Sequence, residues 1–440
     1  MADQSALKAL YVVGCLDMLA CSLYLPLMVD HLRSLGLSYF SIGVLGSLYS
    51  GVQLVSSPII GSWSDIRGHR SVLQLTLLVS STFYFVLGAA TTFPLIFIAR
   101  FFQGISEHTQ VLCGSLLAGV VPSDKQSEVQ GHFASFGGLG FIIGPIIGGH
   151  LIEYDNGFQH VCSIIAFVSI INFVLVYILI PNIQPSSNKK NKNTAEEYDV
   201  RHPSTPSTTE NINSSERRSN DKADIKSTSR LKEVSPRYEI FQAVSELLNI
   251  NWKLYWDVFL LKFFSDVTLS LHYQNVVIIL KEVHNLSPTW IGYTMSLMAV
   301  VGVAASSLTG LISRLYKNDG THAKRTLHAC ILFVFPFLLL CITSNLSLMI
   351  TCFMLISATY SLLRITISEI ILQRTSADQM GSLVGCAQSM FSLSHLVSPI
   401  TSGVAHELYG FQGPTVLKAI TALITLSASC SLFRHKVKNV

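Results

Sequence analysis

Twelve apolar runs divide this chain, at approximately 8–29, 40–62, 72–90, 94–118, 129–152, 158–181, 255–281, 288–314, 324–343, 345–371, 381–408 and 413–433. A helix rising 1.5 Å per residue needs about 20 such residues to cross a bilayer, and in lipid every backbone group must pair within the segment. The runs therefore read as helices, and only 13% of the 440 residues are charged, about half the usual share in a soluble domain. The expected fold class is an all-α polytopic membrane protein with twelve transmembrane helices in two six-helix halves. Residues 1–181 form the first half and 251–440 the second.

Between the halves, residues 182–250 begin with a tract rich in Ser, Thr, Asn, Lys and Pro. Such a tract cannot bury a core and is expected to be disordered, while 238–250 regains amphipathic spacing suited to the membrane surface. The short connections after even-numbered runs carry Arg67, Arg70, Lys125, Arg314, Lys317, Lys324, Arg325 and Arg374. The remaining connections carry Arg33, Lys281 and Lys418. This bias places both termini and the linker in the cytoplasm. The first run, preceded only by Lys8 and followed by no small-residue cleavage site, reads as a retained helix.

The stretch GGLGFIIGPIIGG, residues 137–149, would make a poor helix or strand in water. In a membrane it makes sense. Gly140, Gly144 and Gly148 recur every four residues, a smooth stripe on which another backbone can pack, and Pro145 and Gly149 complete the motif. Gly131, Pro145, Gly149 and Glu153 recur with the same spacing as Gly385, Pro399, Gly403 and Glu407, which argues for duplication. Paired repeats of this kind place a solute site at their interface near the bilayer midplane.

These motifs carry a resemblance. GSWSDIRGHR (61–70) resembles the loop signature of the major facilitator superfamily, and Gly140-x-x-x-Gly144-Pro145-x-x-Gly148-Gly149 is similar to the motif of its drug:proton antiporter branch. RFFQG (100–104) and LDMLACSLYLP (16–26) resemble the fourth and first helices of that branch. Ile66 and His69 depart from the basic pattern of the loop, and Phe83 and Tyr84 offer no third-helix carboxylate of the kind tetracycline exporters use. The resemblance implies the superfamily's twelve-helix fold, alternating access, and a loop (Gly61, Asp65, Arg67, Gly68, Arg70) that latches the halves. Here Gly61 and Gly68 are expected to allow a tight reversal and Asp65 to accept from a helix N-terminus or from Arg70.

Asp17 lies in the middle of the first run, and Arg100 and Glu107 lie in the fourth. On one continuous helix, Arg100, Gln103 and Glu107 share a stripe within about 60°. Each charge costs about 2.5–3.5 kcal/mol at the bilayer centre, so the three are expected to face a cavity and pair. Asp17 and Glu107 are the proton-coupling candidates, Arg100 their partner, and the alternative is a fixed clamp between helices. In the second half Lys262 and Asp266 stand i,i+4, with Asp266 a further coupling candidate, and Arg364 lies at similar depth. Tyr24, Gln103, His108, Tyr273, Gln274, Tyr360 and Arg364 are candidate solute contacts.

No Walker loop, H-E-x-x-H or G-x-S-x-G occurs, and the nine cysteines form no C-x-x-C, so neither ATP-driven transport nor familiar hydrolase chemistry is indicated. No cofactor, metal site, enzyme activity or nucleic-acid partner is expected. Asn285 and Asn345 begin sequons close to the membrane, and KVKNV at the C-terminus reads as a basic cap or a di-lysine retrieval signal. The expected function is secondary active transport of a small organic solute, with protons and by antiport, from a monomer in a lipid bilayer. The other reading is a transport-inactive scaffold or sensor of the same fold.

Overall fold

A computed structural model describes residues 4–121, 126–180, 252–316, 319, 322–374 and 380–438. Among them the first group of helices comprises α1 (Gln4–Ser34), α2 (Tyr39–Arg67), α3 (His69–Ala89), α4 (Phe93–Ser106), α5 (Thr109–Val120), α6 (Gln126–Leu151) and α7 (Gly157–Leu179). The second comprises α8 (Trp252–Ile278), continued by one π turn (Ile279–Val283), α9 (Pro288–Leu315), α10 (Ala323–Leu340), α11 (Leu346–Arg374), α12 (Met380–Tyr409) and α13 (Gln412–Lys438). Nine of the described helices are long and apolar enough to cross a membrane. Those that fall short include the broken pair α4/α5, bearing Arg100, and α8, bearing Asp257, Lys262 and Asp266. The segment 238–250 lies outside the described residues.

Alternating helix directions gather 67–69, 121, 316, 319, 322 and 374 at one end, called here the basic end, and 35–38, 90–92, 152–156, 284–287, 341–345 and 410–411 at the far end. The sequence reading of the connections is revised at Gly61 and at Lys418. Gly61 is inside α2 with open space around it, so the reversal into α3 rests on Gly68 alone, at φ +91°. Arg70 donates to the Tyr177 carbonyl of α7 at 2.6 Å, which fastens α3 to α7 within one group of helices. Arg67 is exposed, and the Asp65 side chain lies outside the described residues. Lys418, expected in a far-end connection, is instead in α13 and wholly buried.

The glycine stripe lies on α1. A Cβ at Gly140 would strike the Cys15 carbonyl, at Gly144 Ser22 and the Leu19 carbonyl, and at Gly148 the Leu23 carbonyl. Ser22 also reaches the Gly140 carbonyl, at 3.3 Å. Pro145 and Gly149 face the other way, across the seam between the two groups. The Pro145 carbonyl fills the space beside Gly292 of α9, and Gly149 abuts the Pro288 carbonyl. The second group mirrors both contacts, with the Pro399 carbonyl beside Gly43 of α2 and Gly403 against the Tyr39 carbonyl. The two seams, α6 on α9 and α12 on α2, are thus built by repeated sequence from the same backbone contacts.

Polar contacts cross the seam in the far-end half of the molecule. Asp30 pairs with Lys281, Tyr39 donates to Glu282, Thr289 donates to Glu153 and His150 meets Tyr293 at 2.9 Å. Deeper in, Ser296 donates to the Ile142 carbonyl at 2.7 Å and Ser47 to the Leu396 carbonyl at 2.6 Å. These cross-seam hydrogen bonds all lie at or beyond the level of the last two toward the far end. The helices α4, α5 and α11 build no packed interface across the seam.

Candidate functional site

The apolar run expected as one helix over 94–118 breaks at Glu107 (φ −80°, ψ 70°) and His108 (φ −121°, ψ 17°). A break in lipid leaves carbonyls unpaired unless side chains reach them. Gln53 of α2 donates to the Glu107 carbonyl at 2.9 Å, and Ser56 donates to the Gly104 carbonyl at 3.0 Å. Ser56 also meets His108 Nε2 at 2.8 Å, so His108 is buried in the α2–α4 contact and engaged there.

The break rearranges the expected polar stripe. Arg100 donates to Gln103 at 3.0 Å and reaches Tyr24 Oη at 3.5 Å, and its guanidinium lies 4.3 Å from the centroid of Tyr49. Tyr49 in turn donates to Glu107 at 2.5 Å. Asp17 accepts from Gln110 of α5 at 2.7 Å, and Gln110 also reaches the Gly14 carbonyl. Arg100 is therefore not the shared ion partner of the two acids. No ion pair among the described residues includes Asp17, Arg100 or Glu107, although Asp17 and Glu107 lie within electrostatic range of each other. Arg100 Nε, Gln103 Nε2 and Glu107 Oε1 are buried without hydrogen-bond partners.

In the second group, Lys262 Nζ lies 3.0 Å from Asp266, whose other oxygen accepts from Tyr360 at 2.8 Å. Two donors on one carboxylate form a satisfied unit. Gln274 donates to Ser270 at 3.1 Å, and Tyr273 is half-buried. Arg364 is exposed, forms no ion pair among the described residues, and lies within electrostatic range of Tyr273 and Tyr360.

Sequence reasoning missed Tyr49, Gln53, Ser56 and Gln110. Each was passed over as an isolated polar residue in an apolar run. Each one's partner belongs to another helix, far away in the sequence. At the basic end, Asp319 caps the Arg325 backbone N–H at 2.9 Å while the Arg325 side chain pairs with Glu369, a tie between α10 and α11 that was also not foreseen. Asn345, one of the sequon residues, accepts from Leu348 N at 3.2 Å as the cap of α11.

Comparison with known proteins places this geometry. The model of the Major Facilitator Superfamily matches residues 10–321 and 258–439. The chain is 31% identical over 146 residues to the class H tetracycline resistance protein of Pasteurella multocida, 32% of this chain and 36% of that protein. It is 27% identical over 165 residues to the quinolone resistance protein NorA of Staphylococcus aureus, 36% of this chain and 42% of that one. These matches thus span well under half of either relative. Among solved structures, a bacterial homologue of the human lysosomal transporter Spinster, inward-facing and occupied, superposes with a TM-score of 0.72 at 12% identity, covering 98% of this chain and 97% of that one. The human organic anion transporter MFSD10 gives 0.61 at 18% identity, covering 98% and 100%.

Proposed function

The chain belongs to the major facilitator superfamily, and on that premise we propose that it is a proton-coupled antiporter of small organic solutes that works by alternating access. The observation that carries this reading is a polar group inside each half, on α1, α4 and α5 in the first and on α8 and α11 in the second. Charges there are costly in a membrane, and the structure spends neither Arg364 nor the two first-group acids on ion pairs with each other. Residues 1–181 and 251–440 act as the two rocking halves, with 182–250 a cytoplasmic linker and both termini on the same side. Uptake into proteoliposomes with and without an imposed pH gradient tests it. Solute movement indifferent to the gradient would remove the coupling, and no movement of any solute would favour a scaffold.

The charge balance narrows the solute. Lys262 and Asp266 neutralise each other, whereas Arg364 forms no ion pair among the described residues and lies within electrostatic range of Tyr273 and Tyr360. A guanidinium in that setting suits a carboxylate or another acidic group, and a solved structural relative is itself an organic anion transporter. Arg364→Gln is expected to weaken binding of an organic anion such as carboxyfluorescein by about 10- to 100-fold, the equivalent of one charged hydrogen bond of roughly 1.5–3 kcal/mol. Binding of the cation ethidium should not weaken. Equal loss for both would show that the substitution disturbs the fold rather than a contact.

The far-end contacts act as a latch in this reading, holding that end shut while solute exchanges at the basic end. Asp30–Lys281 is partly exposed, so its contribution is about 0.2–1 kcal/mol. Lys281→Glu should accordingly raise far-end labelling of a cysteine placed at Ser38, by a membrane-impermeant maleimide, by up to about fivefold. Asp30→Lys combined with Lys281→Asp should restore the original rate. An unchanged rate in the single variant would remove this pair from the latch.

A further inference from the structure

The core of the second group holds two basic side chains that transport leaves unused. Thr268 donates to Thr421 at 2.9 Å and fixes the antiparallel register of α8 on α13. One turn farther along α8 and three residues back along α13, that register brings His272 level with Lys418, within electrostatic range. Both are 0% exposed. Lys418 Nζ and both ring nitrogens of His272 have no hydrogen-bond partner. His272 is walled edge-on by Phe337 (5.7 Å between ring centroids) and Phe353 (5.1 Å).

No described acid serves this pair. Asp257 is with Arg374, Asp266 with Lys262, Glu282 with Tyr39, Asp319 with the Arg325 backbone and Glu369 with Arg325, while Glu407 is exposed at the far-end seam. Cys341, the residue after α10, lies within electrostatic range of Lys418 and offers only a thiol. An ammonium in such a core without a countercharge is strongly unfavourable, and buried donors left unmade add to that. Histidine cannot provide the missing negative charge. A small anion satisfies both groups at once, and the aromatic wall leaves no place for an organic one.

We propose that Lys418 and His272 together hold a monovalent inorganic anion of chloride size inside the second group of helices. Lys418 is six residues into α13 from its far-end start, about 9 Å along the helix, so the anion enters from the far end. The site lies apart from Arg364 and its tyrosines and does not depend on what the transporter carries.

The test uses the purified full chain in detergent, with thermal unfolding followed in sodium chloride and in sodium gluconate at equal ionic strength. A ligand bound only by the folded state raises the midpoint with its concentration, so chloride is expected to raise it by several degrees and gluconate to have no such effect. Lys418→Met should lose the chloride response, and His272→Phe, which keeps an aromatic ring against Phe337 and Phe353, should reduce it. Radiolabelled chloride retained by the wild type and not by Lys418→Met would give the same answer without relying on stability. Equal midpoints in the two salts, or a chloride response that survives Lys418→Met, would overturn the proposal. No gradient or solute is involved, so failure here leaves the transport reading untouched, and failure of transport leaves this one.

Discussion

Asp17→Asn is expected to abolish pH-gradient-driven uptake, bringing it to the level of protein-free liposomes, while solute binding at equilibrium persists. The asparagine oxygen still accepts the Gln110 N–H that meets Asp17 at 2.7 Å, so the local structure is kept and only proton exchange is lost. The expectation singles out Asp17 over Glu107 on geometry. Asp17 is half-buried and accepts from the neutral amide of Gln110, whereas Glu107 is tied down by Tyr49, whose ring is also the platform for Arg100. A coupling acid needs access for its proton and no fixed cation holding it ionised. Glu107→Gln should therefore slow uptake without uncoupling it, by disturbing the Tyr49–Arg100 stack. Uptake that stays fully gradient-driven in Asp17→Asn and collapses in Glu107→Gln would reverse the assignment. If both variants keep it, the proton site moves to Asp266 or the coupling is absent.

The contrast between these two acids could not be read from the sequence. On an unbroken helix Arg100, Gln103 and Glu107 lie on one stripe, and the natural inference is a shared ion pair. Residues 105–113 contain neither proline nor glycine to announce a break at Glu107–His108. The break exists because Gln53 and Ser56, more than forty residues away, satisfy the carbonyls it frees. A one-dimensional pattern contains no trace of such a partnership. By contrast, the spans themselves were legible, since apolar runs of about 20 residues leave lipid-crossing helices as the main option. The glycine spacing was legible for a similar reason, because only close backbone approach calls for it. Lys418 falls on the other side of that line, since a lysine near a run's end reads as an interfacial charge, and only the register with α8 reveals its burial.

Gly144→Leu is expected to prevent accumulation of folded protein, and even Gly144→Ala to lower the thermal midpoint sharply. A Cβ at this position would meet the Leu19 carbonyl at 2.8 Å as well as Ser22, and the first of these is backbone that cannot swing away. Overpacking of a tight contact costs roughly 1–3 kcal/mol, and here α1 and α6 must separate along their length, since Gly140 and Gly148 abut carbonyls of the same helix. The control lies in the same helix. Gly131 has nothing within 4 Å of its would-be Cβ, so Gly131→Ala should be neutral or stabilising by up to about 1 kcal/mol through helix propensity. Ile142→Leu, a volume-conserving change off the stripe, should fold and transport. Folding yield and thermal unfolding of the four variants decide the matter, and transport is measured on those that fold. Equal stability of Gly144→Ala and Gly131→Ala would place the stripe against lipid and dissolve the α1–α6 contact. The mirrored seam sharpens the test further, because Gly149→Ala and Gly403→Ala press on the Pro288 and Tyr39 carbonyls of the opposite group. Those two variants should fold more nearly normally than Gly144→Ala yet open the far end, separating the packing that builds each group from the packing that joins them.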